Sequence, residues 1–267
     1  ALAAYVQPVI AGYIKRFSAS LAEQGFKGRF SIMQSNGGRM PAEAMAKNAI
    51  SALFSGPAAG VVGAIRGISS AGYKNLITLD MGGTSTDVSL VSDGESKLAP
   101  MTMIDGLPVK TPVIDIATVG AGGGSIAWRD DGGLMRVGPR SAGASPGPAC
   151  YGRGGVEPTV TDAHLIRGTL QAGGFLGGKM EVDVKLAQDT FTELSEFFGL
   201  SIEEIADDTI RLAEANIVRA IQQISTERGS DPRDFVLVPF GGAGPLHAAR
   251  VAEDLSIERV AVSYTHL

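Results

Sequence analysis

Apolar positions recur at three- and four-residue intervals in two long stretches of the chain. Over residues 2–24, Tyr5, Val6, Ile10, Tyr13, Ile14, Phe17 and Leu21 fall on one helical face. Pro8 lies near the start of that stretch, where a missing N–H costs little. Over residues 202–228, Ala206, Ile210, Ala213, Ile217, Ile221 and Ile224 form a second stripe. Ser201 followed by Glu204 reads as a capping box, and Gly229 as the stop. Elsewhere the pattern shifts to short continuous apolar runs of strand length. These are FSIMQ (30–34), LITLDMG (76–82), Val88 to Val91 and FVLVPF (235–240). Residues 41–50 and 55–70 predict two shorter helices. Asp93-Gly94 predicts a hairpin turn and residues 97–103 a returning strand, so the segment from 76 reads as a β-meander. From 108 to 160 the density of Gly and Pro predicts short strands joined by long loops. GGAGPLHAAR (241–250) predicts a tight turn running into a helix.

Composition narrows the function classes. The 267 residues include 36 glycines, roughly twice the usual share of ~7%, without the Gly-X-Y period of collagen. The 23 basic and 28 acidic residues give a net charge of −5, which argues against a broad nucleic-acid surface. A phosphate site is still open, because backbone N–H groups bind phosphate without any basic side chain. The single cysteine, Cys150, forms no internal disulfide and fits a reducing, cytoplasmic setting. No apolar run approaches the ~20 residues of a membrane span. The chain starts in mid-pattern without Met, which suggests a fragment of a longer protein. The last residues, SYTHL (263–267), break the preceding strand pattern and read as a non-native tail.

The strongest chemical signal is Asp80-Met81-Gly82-Gly83-Thr84-Ser85-Thr86-Asp87. An apolar strand delivers Asp80 to its end. Gly82 and Gly83 carry no side chain, so the following N–H groups can approach an anion. Thr84, Ser85 and Thr86 add hydroxyl donors, and Asp80 can hold Mg²⁺ through water. Asp87 is a second acid at the cleft or a cap on the hairpin. No Gly-Lys-Ser/Thr follows, which excludes a P-loop, and no helix follows, which excludes a dinucleotide fingerprint. A polar hairpin turn uses the same glycines, but the length of the run favours phosphate. A second glycine bend, Gly241-Gly242-Ala243-Gly244, follows another buried strand. Glycines there let a purine or ribose lie against the backbone. A plain strand-to-helix turn is the alternative.

In chain order, SGPAAGVVGA, LDMGGTSTDVSLV, VGAGGGSIAW, GPACYGRGGVEPTVTDA and FVLVPFGGAGPLHA together resemble the hydantoinase A/5-oxoprolinase family. That family has relatives among acetone carboxylase-type subunits and belongs to the actin-like ATPase superfamily. The resemblance spans nearly the whole chain and treats residues 1–267 as one core domain. It implies an α/β fold: a ribonuclease H-like, actin-like ATPase domain with a mixed sheet and flanking helices. It also implies ATP and Mg²⁺, and ATP-dependent opening of a cyclic amide of the hydantoin or 5-oxoproline type. Asp80 and Asp87 would be catalytic. Gly82, Gly83, Thr84, Ser85 and Thr86 match the second phosphate loop, and Gly241, Gly242 and Gly244 the adenosine motif. Two partners are implied: an upstream N-terminal domain with its own D-x-G-G-T loop, absent from this chain, and a second, hydantoinase B-type subunit or domain. Two rival functions stay open. One is a ketone carboxylase subunit; the other is a non-catalytic actin-like module that uses ATP as a switch.

Asp115, Cys150, Asp162 and His164 lie in the family-like loops and are all donor types for Zn²⁺ or Mn²⁺. No pair among them has a diagnostic metal spacing, although Asp162 and His164, two apart, can share a strand face. A buried cysteine beside loop-capping polar groups is the alternative. Gly120 to Ser125 reads either as an anion-binding nest or as a corner between strands. His247, one turn into the last helix, reads as a packing residue.

Overall fold

The computed structural model describes residues 2–104, 106–173, 178 and 180–262. It divides into two compact units, Ala1–Lys74 with Ser89–Ile116, and Asn75–Val88 with Ala117–Leu267. The tail at 263–267 lies outside the described residues.

The first unit opens with α1 (Leu2–Glu23). Only Ile14 on it is fully buried, against Ala42 and Met45, with Ile10, Phe30 and Ile32 closing round it. Tyr5 and Tyr13, part of the expected stripe, remain largely exposed. β1 (Ser31–Met33) and β2 (Arg39–Pro41) pair antiparallel around the Asn36-Gly37-Gly38 turn. α2 (Ala42–Lys47) is shorter than residues 41–50 predicted, because the backbone leaves the helical region at Asn48 and continues as a 3₁₀ turn. α3 (Ser55–Ser69) follows.

β3 (Leu76–Met81) and β4 (Thr86–Ser92) flank the Asp80–Asp87 bend. The expected returning strand over 97–103 does not form as one piece. After the Asp93-Gly94 turn only β5 (Glu95–Ser96) pairs back onto β4. The chain then splits into β6 (Leu98–Ala99), β7 (Thr102–Ile104), β8 (Leu107–Val109) and β9 (Val113–Ile114). β6 pairs with β9, and β7 with β8. The place beside β4 is taken by β10 (Ile116–Val119). The meander ends early because Leu98, Met101 and Met103 are exposed, so no apolar face holds that segment against the sheet.

One sheet matters for the site. Its strand order is β10-β4-β3-β13, where β13 is Val236–Phe240. The ends of β3 and β13 that border the site lie in the second unit. β13 runs parallel to β3, with Val236 opposite Leu76 and Phe240 opposite Asp80. β11 (Ser125–Arg129) and β12 (Met135–Ser141) form an antiparallel hairpin, and the Trp128 indole N–H donates to the Gly138 carbonyl at 2.8 Å. The helices are α4 (Val160–Ile166), α5 (Val184–Phe198), α6 (Ile202–Ile224) and α7 (Gly244–Asp254).

α6 carries the predicted stripe but ends at Ile224, short of 228: Ser225 closes it, and Gly229 closes a separate 3₁₀ turn over Thr226–Arg228. Ser201 and Glu204 form the capping box, and all six stripe residues are buried. Each buried isoleucine contributes roughly 1.5–3 kcal/mol. The mixed sheet with flanking helices is the expected α/β class. Among the described residues, no helix is long and apolar enough to cross a membrane.

Candidate functional site

Parallel pairing with matched register makes β3 and β13 end side by side. The glycine bends that follow them, 159 residues apart when counted from Gly82 to Gly241, therefore leave the same end of the sheet. The Ala243 N–H donates to the Met81 carbonyl at 3.0 Å. Gly241 has φ +78°, and a Cβ built on it would stand 2.5 Å from both Asp80 Oδ1 and the Met81 carbonyl oxygen. Only glycine permits this approach. Gly241 and Gly242 are exposed. Gly244 is buried, with its Cβ position 3.1 Å from the Leu79 carbonyl. Of the three expected adenosine glycines, Gly244 thus serves helix-to-strand packing.

The bend at 82–85 is held from behind. The Gly123 N–H donates to the Gly82 carbonyl at 3.0 Å, and the Gly124 N–H to the Gly83 carbonyl at 2.7 Å. The Gly122 N–H donates to Ser125 Oγ at 2.7 Å. The N–H groups of Gly122, Gly123 and Gly124 are thus spent on this bend and on Ser125, and those of Ala121 and Ser125 on the Val119 and Gly122 carbonyls, so these five do not form an anion nest. Thr161 completes the support, donating through its N–H (2.7 Å) and its hydroxyl (2.8 Å) to the Gly123 carbonyl. With Gly82 and Gly83 carbonyls tied back, the other side of the bend presents donors. Gly82, Gly83 and Thr84 are exposed and Ser85 half-buried. Among the described residues, nothing accepts from the N–H groups of Gly83, Thr84 and Ser85. Thr86 corrects the expectation made for it: it is fully buried, and its hydroxyl donates to the Ala121 carbonyl.

Asp80, at the end of β3, and Asp87, on β4, are half-buried. The Thr118 hydroxyl donates to Asp87 Oδ1 at 2.6 Å. Burial, and then the Asp87 charge, pushes the Asp80 carboxyl above its ordinary range. Burial does the same to Asp87 against the Thr118 hydrogen bond. A carboxyl raised in the folded state supports the fold fully below its unfolded pKa and loses that support as pH rises through its folded value. At neutral pH the pair therefore opposes folding. Asp87→Asn, whose amide oxygen still accepts from Thr118, is expected to raise Tm by a few degrees at pH 7, at about 2–4 °C per kcal/mol for a domain of this size. The gain should vanish below about pH 4, where carboxyls are protonated in both states. Thermal melts from pH 4 to 8 check this.

The expected metal set is not assembled. Among the described residues, no three His, Cys, Asp or Glu side chains form a group able to hold a metal. Asp115 belongs to the other unit. Asp162 sits on α4 and not on a strand face, and its carboxylate accepts from the N–H groups of Ala149, Cys150 and Thr159 and from the Thr159 hydroxyl. It caps a helix and pins the Cys150 turn. Cys150 is buried beside Leu165 and Ala187, and burial together with Asp162 pushes its thiol far up. A thiol so disfavoured as thiolate packs as a small hydrophobe. His164 points to His247, with Nε2 to Nε2 at 3.1 Å. His247, a packing residue by sequence, is fully buried and its Nδ1 lies 3.2 Å from Glu214 Oε1. No spacing signal joins Glu214, His164 and His247, because only the fold brings them together.

Comparison with known proteins gives a consistent picture. The hydantoinase/oxoprolinase family model matches residues 1–266. The caprolactamase alpha subunit of Pseudomonas jessenii is 42% identical over 260 residues, covering 97% of this chain and 37% of its own length. The crystal structure of the ATP-dependent caprolactamase from that organism superposes with a TM-score of 0.82 and 43% identity, over 97% of this chain and 38% of that one. 5-Oxoprolinase 1 of Arabidopsis thaliana is 37% identical, covering 97% of this chain and 22% of itself. A nucleotide-free structure of acetone carboxylase, from work on ATP-dependent acetone carboxylation, matches with a TM-score of 0.84 and 32% identity, over 92% of this chain and 35% of that one. The chain thus spans between about a fifth and two fifths of these relatives.

Proposed function

The chain belongs to the hydantoinase/oxoprolinase family, and from that we propose that it carries part of the nucleotide site of an enzyme that uses ATP to open a cyclic amide. The observation that carries the reading is the bend at 83–85. Among the described residues, the N–H groups of exposed Gly83 and Thr84 and half-buried Ser85 lack acceptors, while the Gly82 and Gly83 carbonyls are tied back. Backbone donors arranged in this way suit phosphate oxygens. Gly241 and Gly242 lie next to it at the end of the neighbouring strand, exposed and free of side chains, and suit a purine or ribose.

An unstrained ring amide resists water. Phosphoryl transfer from ATP to its carbonyl oxygen forms an O–P bond, releases ADP and leaves a carbon that water can attack. The ring C–N bond then breaks, the nitrogen takes a proton, and a second water cleaves the resulting acyl phosphate to carboxylate and phosphate. The protein's part is positioning and charge stabilisation. The N–H groups of Gly83, Thr84 and Ser85 hold phosphate oxygens as negative charge moves onto them. Thr84, exposed, and Ser85, half-buried, add hydroxyl donors. Asp80 and Asp87 orient the attacking water or the metal. The mutual repulsion of these two carboxylates fits a divalent cation, and an all-oxygen donor set suits Mg²⁺. Bound there, Mg²⁺ would neutralise charge on the transferring phosphoryl group.

The substrate is proposed to be of the hydantoin, 5-oxoproline or lactam class. Relatives that support this include a caprolactamase subunit and a 5-oxoprolinase. The similarity to acetone carboxylase supports a second reading in which the phosphoryl acceptor is a ketone enolate or bicarbonate. Several relatives are named as subunits, which supports a second subunit completing the enzyme; an upstream domain is proposed with it, as this chain spans at most about two fifths of these relatives. ADP release by the full-length protein tests the proposal. It is expected to rise at least tenfold with a hydantoin, 5-oxoproline or a lactam. A rise only with ketone and bicarbonate would favour the carboxylase, and substrate-independent turnover would favour a nucleotide switch.

A further inference from the structure

The buried polar chain behind the two bends takes no part in the chemistry above. His247, on α7, is fully buried, with Nδ1 3.2 Å from Glu214 Oε1 on α6. Its Nε2 lies 3.1 Å from Nε2 of His164 on α4. The His164 Nδ1 lies 3.2 Å from the Thr169 hydroxyl, at an exposed position. The two rings meet edge to face, with centroids 4.6 Å apart at 70°.

A carboxylate only accepts, so the His247 Nδ1–H donates to Glu214. Burial, then His247 and Arg167, brings His164 down to about 3, so its ring is neutral and has one N–H and one lone pair. One order of donors satisfies every atom. The Thr169 hydroxyl donates to His164 Nδ1, the His164 Nε2–H donates to His247 Nε2, and the His247 Nδ1–H donates to Glu214. Among the described residues, no buried side-chain nitrogen or oxygen lacks a partner. Such a fully satisfied chain is rigid, and deleting one member leaves a buried group unpaired.

The chain's location gives it a role. α7 starts directly after the Gly241–Gly242 turn, and His247 lies in its first turn. α4 carries Thr161, which holds the Gly123 carbonyl, while the Gly123 N–H holds Gly82. The His164–His247 contact therefore joins the helix behind one bend to the helix behind the other. We propose that His164, His247 and Glu214 are positioning residues that fix the spacing of the two bends, so that one nucleotide engages both at once. The inference rests on the nucleotide reading. A ligand that spans both bends depends on their spacing, whereas a ligand that fits one bend does not.

The test is calorimetric titration of Mg·ATP and of Mg·pyrophosphate into the full-length protein and three variants, each with a thermal melt. His164→Leu is expected to weaken ATP about tenfold or more, one decade of Kd or beyond, and to leave pyrophosphate within about twofold. Glu214→Gln, whose amide oxygen still accepts from His247, is expected to stay within about threefold for both ligands. If His164→Leu does not fold, His164→Gln keeps a donor toward His247 and is expected to weaken ATP about threefold with pyrophosphate unchanged. Unchanged ATP affinity in a folded His164 variant, or equal loss of both ligands, overturns the inference. Failure of the wild type to bind either ligand overturns the nucleotide reading itself and the inference with it.

Discussion

Gly241→Ala is expected to destabilise the protein by about 2–5 kcal/mol, combining the cost of a left-handed backbone with that of forced overpacking. Gly241 holds φ +78°, and its Cβ position is 2.5 Å from Asp80 Oδ1 and from the Met81 carbonyl oxygen. Met81 is fully buried in β3, so it cannot yield without moving that strand. Asp80 can turn aside, but doing so carries its carboxylate away from its place beside the bend. At about 2–4 °C per kcal/mol the expected fall in Tm is roughly 4–20 °C, with weaker ATP binding besides. A thermal melt with a denaturant titration checks it. An unchanged Tm would mean that the β13 turn does not sit against the end of β3.

Gly83→Val separates binding from folding. Gly83 is exposed, its backbone is outside the left-handed region, and a Cβ there meets nothing within 4 Å. The fold is expected to tolerate the change, with Tm within about 2 °C of wild type, as for an exposed substitution costing within ±0.5 kcal/mol. The isopropyl group would occupy the space over the N–H groups of Gly83 to Ser85, which a phosphate must enter. Loss of two or three such charge-assisted bonds, at ~1.5–3 kcal/mol each, predicts ATP binding weakened by about a hundredfold or more. Mg·ATP titration beside a melt reads both quantities.

These contrasts show where the sequence was informative. α6 was legible because its apolar stripe is long and periodic and its N-cap uses local chemistry; its end was not, because Gly229 closes the 3₁₀ turn that follows it. The strands ending at Met81 and Phe240 were legible as short apolar runs before glycines. α4 was missed although Thr159 and Asp162 carry a capping-box spacing. Its seven residues sit in a Gly- and Pro-rich stretch that masked the period. α5 was missed too, although Asp183 caps it.

The candidate site was legible only as far as each bend alone is a local motif. That Gly241 meets Asp80 follows from the register of two strands far apart in sequence. That Gly123 and Gly124 donate to Gly82 and Gly83 is likewise a long-range fact, and it makes a support of a loop the sequence left open between nest and corner. Thr86 and Gly244 look like ligand-facing motif residues but are buried, because motif spacing does not say which side of the backbone a group occupies. Cys150 and Asp162 were plausible metal donors by type. A carboxylate already accepting from three backbone N–H groups has a structural task that residue identity does not reveal.

If the bend at 83–85 helps grip the nucleotide, Mg·ATP titrated into full-length wild type and Gly83→Val, side by side, must part the two proteins. Saturable binding is expected in the wild type, and affinity about a hundredfold lower or worse in a variant that melts at the same temperature. Equal affinity in both would show that the bend does not hold ATP.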